Sequence, residues 1–232
     1  LVTFGWRWAL FGPAILAFLG AVFLWWTLPD TPRSVGLPEL SEKVEGNKGD
    51  DVTETSAEFK AFVRRQVFGN PYIWLIAVAN FFVYTMRYAI LDWGPTLLNQ
   101  WKGIEIQNAG WMVAGFEGAG ITGMVVSGWA TDRIFGGRGA RTCVICMVMA
   151  TLAVFLFWKW PGHHWLASTI LLGVAGFFIY GPQALVGIAV ANLATRKAAA
   201  TAVGFTGLFG YASSIVSGVG LGALVQRHGW DA

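Results

Sequence analysis

The sequence predicts an all-α membrane protein, a bundle of spanning helices, on three observations. Charged residues make up 12% of the 232 and apolar residues 55%, with a mean hydropathy of +0.55, whereas soluble domains carry roughly 25% charged residues. The apolar residues fall in long uncharged runs, near the ~20 residues that cross a hydrocarbon core. None of these runs alternates apolar with polar as barrel strands do, and only helices or closed barrels satisfy backbone polar groups in lipid.

Six runs are read, at about 8–28, 72–98, 108–130, 142–158, 165–193 and 199–225. The first begins after Arg7 and stays apolar to Leu28, too long for a signal-peptide core and without a small-residue cleavage site. No cleavable leader is expected. From Pro29 to Glu54 the chain is rich in Pro, Gly and acids with no hydrophobic period, which predicts a linker. Thr55-x-x-Glu58 then resembles a capping box, and Phe59, Phe62, Val63 and Val67 follow at helical spacing. A short amphipathic helix over 56–68 at the cytoplasmic interface is predicted; the alternative is a helix with no membrane contact. The expected organisation is one span in 1–28, a central loop in 29–71 and a five-span bundle in 72–232. That lopsided plan, stopping just after the sixth run, is expected of a piece of a longer transporter.

The basic residues set the topology. Arg33, Lys43, Lys48, Lys60, Arg64 and Arg65 precede the second run, Arg133, Arg138 and Arg141 follow the third, and Arg196 and Lys197 follow the fifth. The opposite side carries only Lys102, Lys159 and Arg227. The positive-inside rule places the first group in the cytoplasm. This placement, between spans rather than along one face, explains the net charge of +3 and argues against a nucleic-acid partner. Cys143 and Cys146 form C-x-x-C, but His163 and His164 lie across a predicted span and no βαβ context is present, so they read as ordinary membrane-helix cysteines. No metal or cofactor is expected.

Arg87 stands within the second run. A central arginine costs about 3 kcal/mol on insertion scales and persists where it faces a bundle interior or an aqueous cavity. Asn80, Tyr84 and Arg87 lie close to one helical face, and Gly94-Pro95 weakens the helix a turn and a half later. The guanidinium is a permanent planar donor fork suited to phosphate or carboxylate. The competing reading pairs Arg87 with Asp92 or Glu117 as a purely structural ion pair. Glu117 lies among Gly115, Ala119, Gly123 and Ser127, spaced to let helices approach closely, and Gly210, Ser214, Gly218 and Gly222 repeat the device in the last run. Glu117 itself reads as a partner for a basic residue or as a protonated acid in a cavity. Gly118-x-Gly120-x-x-Gly123 matches a dinucleotide fingerprint by chance, since no strand precedes it. Gly136-Gly137-Arg138 lacks the Walker lysine spacing.

Four stretches carry a resemblance to a known family. They are TPRSVGLP at 31–38, RYAILDWGPTLL at 87–98, GWATDRIFGGRGAR at 128–141, and YGPQALVG with AAATAVGFTGLFGY at 180–187 and 198–211. Together they resemble the organophosphate:phosphate antiporters of the major facilitator superfamily, nearest the glycerol-3-phosphate and phosphoglycerate transporters, over helices six to eleven. The third stretch marks only the superfamily.

The resemblance implies a twelve-helix carrier whose halves rock about a central site. It implies that Arg87 grips phosphate together with an arginine of the N-terminal half, and that Tyr84, Tyr180 and Tyr211 line the cavity, with Asn80 on the same face. Asp92 and Glu117 would exchange salt-bridge partners as the site fills. Gly128, Asp132, Arg133 and Arg138 would form the gating loop motif. The implied partners are a phosphate ester, inorganic phosphate, the bilayer and the N-terminal half, and the implied location is a bacterial inner (plasma) membrane. Ala89, Ala200 and the stretch Ala194-Thr195-Arg196-Lys197 depart from the family pattern, which leaves the ester open between glycerol 3-phosphate, phosphoglycerate and hexose phosphate. A sensor of the same fold is the alternative function. An enzyme is not expected, because no carboxylate pair, nucleophile–base set or metal cluster is legible.

Overall fold

The computed structural model describes residues 7–29, 36, 57–160 and 165–230. The chain divides into two units, Leu1–Asp51 and Val52–Ala232. The TPRSVGLP stretch apart from Gly36, Thr55 of the capping box, and His163 and His164 lie outside the described residues. In the first unit, helix α1 (Trp8–Thr27) runs through Pro13. Large apolar residues such as Leu16, Phe18, Phe23 and Trp25 follow one another along it, which makes it long and apolar enough to cross a membrane.

The second unit opens with α2 (Ala57–Val63), which continues into a π-helical turn at Arg64–Phe68. Gly69 ends it where a Cβ would lie 2.6 Å from the Arg65 carbonyl oxygen. The spans follow as α3 (Pro71–Gln100), α4 (Ile106–Arg133), α5 (Gly139–Lys159), α6 (Trp165–Leu193) and α7 (Arg196–Ile215), the last prolonged through a π turn at Val216–Gly220 into α8 (Leu221–His228). With α1, six helices among the described residues are long and apolar enough to cross a membrane. α3 starts on an Asn70 cap whose side chain accepts the Tyr72 N–H at 3.0 Å, with Pro71 at the first helical position. Pro95 removes one backbone donor but does not end α3, which continues to Gln100.

The junctions gather at two ends, as alternating spans require. At one end Val63 and Val67 of the first helical segment pack with Ile73 of α3, Val190 of α6 and Ala198 of α7. At the other, Lys102 donates from Nζ to the carbonyls of Phe157 and Trp160, each at 3.0 Å, and so caps α5. Burial pushes the Lys102 ammonium below its ordinary pKa. Trp101 and Phe157 place their ring faces 4.7 and 4.5 Å from the same Nζ.

Small residues set the closest helix approach, in a register that differs from the expected one. A Cβ at Gly123 of α4 would lie 1.9 Å from the Phe177 carbonyl oxygen of α6, and one at Gly176 would lie 2.2 Å from the Phe116 carbonyl oxygen. A Cβ at Gly181 would likewise run into the Ser127 hydroxyl. Gly115, expected in this ridge, faces open space, and Gly120 takes the role against the Tyr180 ring. Along the last span, Gly210 of α7 packs against Asn80 and Tyr84, and Gly222 of α8 against Trp93, whereas Gly218 of the π turn meets nothing and Ser213 and Ser217 are the buried serines. The correction has a physical reason: a four-residue repeat drifts around a 3.6-residue helix, so buried positions step by three as well as four.

Gly123→Val therefore forces α4 from α6. The expected result is a loss of roughly 3 kcal/mol, read as a lower melting midpoint in detergent, while Gly118→Val, where a Cβ meets open space, leaves the midpoint in place.

Candidate functional site

Arg87 sits two turns beyond Asn80 on α3. Its Nη2 lies 3.5 Å from Oε1 of Glu117 on α4, with side-chain exposures of 20% and 36%. The guanidinium carbon stands 4.7 Å from the centre of the Tyr180 ring of α6, and the Tyr180 hydroxyl donates to the same Glu117 carboxylate. Three helices thus meet through one cation, one carboxylate and one phenol. The cation is incompletely satisfied, because the buried Nε of Arg87 has no hydrogen-bond partner. A single ion-pair contact uses little of a five-donor guanidinium. Gly120 makes room for the Tyr180 ring, since a Cβ there would fall 2.4 Å from it.

A second group of side chains continues this face. The Tyr84 hydroxyl accepts from Nε2 of Gln183 at 3.1 Å, and the Tyr84 ring lies 5.8 Å from Tyr88 and 6.3 Å from Tyr211 of α7. Tyr211 is exposed. Oε1 of Gln183 is buried without a partner. Sequence reasoning did not single out Tyr88 or Gln183, although both stand inside the quoted stretches. Gln183 follows Tyr180 by three residues in an apolar span, a spacing that puts them on one helical face.

The remaining expected residues have other surroundings. Asn80 is buried and donates to the Thr206 carbonyl at 3.0 Å, joining α3 to α7. Asp92 accepts from Oγ of Ser217 at 3.3 Å, and the Trp93 indole donates to the Ser217 carbonyl at 3.0 Å. The acid beside Arg87 among the described residues is therefore Glu117; Asp92, five residues on, lies well around the helix and binds the π turn. Asp132, Arg133 and Arg138 are exposed and Gly128 half-buried, at the end of α4 and in the following turn. Asp132 is about 22 Å along the helix from Glu117. Gly136 and Gly137 make that turn at φ of 59° and 78°, in the left-handed region that favours glycine. Cys143 and Cys146 are free thiols on α5, the latter 3.7 Å from the Ser127 hydroxyl.

A family model described as Major Facilitator Superfamily matches residues 1–230. The chain belongs to the Major Facilitator Superfamily. Within that superfamily it is similar to the glycerol-3-phosphate transporter of Bacillus subtilis (strain 168), 36% identical over 240 residues, covering 100% of this chain and 54% of the relative. The glycerol-3-phosphate transporter of Haemophilus influenzae is 35% identical over 246 residues, covering 97% and 51%. The membrane sensor protein UhpC of Escherichia coli (strain K12) is 31% identical over 235 residues, covering 98% and 52%. The chain spans about half the length of the curated relatives it matches. The six apolar helices among its described residues and its bacterial superfamily relatives make it a multi-pass inner (plasma) membrane protein.

Proposed function

We propose that this chain forms the helix-six-to-eleven part of a carrier that exchanges an organic phosphate ester, glycerol 3-phosphate foremost, for inorganic phosphate by alternating access. The observation that carries the reading is the partly exposed Arg87, which rests on the Tyr180 ring and meets Glu117 at 3.5 Å while its Nε has no hydrogen-bond partner. A phosphate monoester brings up to two negative charges and several acceptor oxygens, which complement a planar donor fork in a site of low dielectric.

Tyr84, Tyr180, Tyr211 and Gln183 supply hydroxyl and amide groups for the remaining oxygens. Glu117 is the internal competitor. It holds the guanidinium while the site is empty and gives way to the incoming phosphate. Because the ester and inorganic phosphate present the same charged end, one site serves both. Asp92, through Ser217, ties the cavity helix α3 to the π turn and would couple filling of the site to movement of α7 and α8. Differential contacts in the two facing states drive alternation, and coupling then needs only that the empty carrier reorient slowly, clamped by the intramembrane acids. Neither step calls for covalent chemistry.

A sensor that binds a phosphate ester without appreciable flux is the second reading, favoured by the similarity to the UhpC sensor at 31% identity. The test uses the intact protein in proteoliposomes preloaded with phosphate. Uptake of labelled glycerol 3-phosphate that depends on internal phosphate supports the carrier; binding without exchange supports the sensor. A panel with 3-phosphoglycerate and glucose 6-phosphate as competitors assigns the ester.

A further inference from the structure

We propose that the elbow between the α2 segment and α7 is a binding site for the phosphate of an anionic phospholipid headgroup. A cavity of about 490 Å³ opens there, lined by Phe59, Lys60, Val63, Arg64, Phe68 and Thr201. Burial of Val63 and Val67 against Val190, Ala194 and Ala198 fixes the segment on the ends of α6 and α7. That anchoring directs Lys60 and Arg64, one helical turn apart, to the same cavity. Both are exposed, and neither side chain makes a hydrogen bond or ion pair among the described residues. Arg65 and Lys197, also exposed, add positive charge at this end, and the Thr201 hydroxyl adds a donor.

The lining has two chemistries. Lys60, Arg64 and Thr201 suit a phosphate, whereas Phe59, Val63 and Phe68 suit the glycerol and upper acyl region beneath it. A soluble phosphate would use only the first. The cavity lies beside the start of α3, on the side that the distribution of basic residues assigns to the cytoplasm, where the leaflet presents anionic lipid. This proposal does not depend on which solute the protein carries.

Native mass spectrometry of the intact protein in detergent, titrated with dioleoylphosphatidylglycerol or dioleoylphosphatidylcholine, tests it. The expected result is a preference for phosphatidylglycerol that falls roughly 30-fold in Lys60→Gln/Arg64→Gln, with phosphatidylcholine binding unchanged. The charge-keeping Lys60→Arg/Arg64→Lys variant retains the preference and serves if the neutral variant misfolds, as judged by its melting midpoint. Equal affinity for the two lipids in the wild type, or an unchanged preference in a folded neutral variant, overturns the proposal. Displacement of the lipid by excess inorganic phosphate also overturns it, by making the site one for free phosphate.

Discussion

Arg87→Lys in the intact protein is expected to lower phosphate-ester exchange roughly 100-fold while leaving the protein folded. The substitution keeps the positive charge but replaces a flat fork of donors with a point charge. Charge-assisted hydrogen bonds contribute about 1.5–3 kcal/mol each, so losing one or two of them accounts for an effect of this size. The lysine ammonium can still reach toward Glu117, and its stem can still lie on the Tyr180 ring, so folding is preserved where binding is not. Exchange in proteoliposomes, normalised to reconstituted protein, is the measurement. Wild-type exchange in this variant would make Arg87 a scaffold residue.

Glu117→Gln is expected to act in the opposite direction on affinity. The carboxylate lies 3.5 Å from Arg87 and competes with any incoming anion. A glutamine keeps the shape and can still accept from the Tyr180 hydroxyl, but it leaves the cation without its counter-charge. Since both side chains are partly exposed, the pair is screened, and its removal is worth about 1–2 kcal/mol rather than the larger figure of a dry pair. Half-saturation for phosphate should fall about tenfold. The empty carrier should be less stable, so added phosphate should raise its melting midpoint by more than it raises that of the wild type. Exchange turnover should drop, because the anion leaves an uncontested guanidinium slowly. An affinity equal to or weaker than that of the wild type would show that Glu117 does not compete for the site.

The reach of sequence reasoning differed between scale and register. Spans were legible because continuous apolar length is what the bilayer demands, and α6 at Trp165–Leu193 carries the expected limits. Other ends extend by a few residues, as at α3, where Asn70 and Pro71 provide a start signal ahead of the apolar run. Contacts between helices were less legible. Three-residue and four-residue steps both keep a face, so choosing Gly115 over Gly120 or Gly218 over Ser217 required the partner helix. The π turn at Val216–Gly220 had no sequence mark that separates it from continuous helix.

Within the site, Arg87 announced itself by the cost of a charge in lipid, and Glu117 did so for the same reason. Which acid meets Arg87 was not legible, because Asp92 is nearer in sequence while Glu117 faces it across α3 and α4. Asn80 was grouped with Arg87 by helical phase, yet phase does not say how far up the cavity a residue sits, and its amide serves the Thr206 carbonyl. Gln183 went unread because a neutral amide costs little enough in a span to attract no notice. Only its bond to Tyr84 across α3 and α6 places it in the site.

The central claim is that the Arg87 guanidinium takes the anionic end of the transported solute. Arginine-directed labelling of the intact protein with phenylglyoxal, mapped by peptide mass spectrometry, reads that side chain directly. Glycerol 3-phosphate at saturating concentration should shield Arg87 from labelling, and glycerol should not. Labelling of Arg87 that proceeds at the same rate with and without the ester, in protein that still exchanges it, would contradict the account.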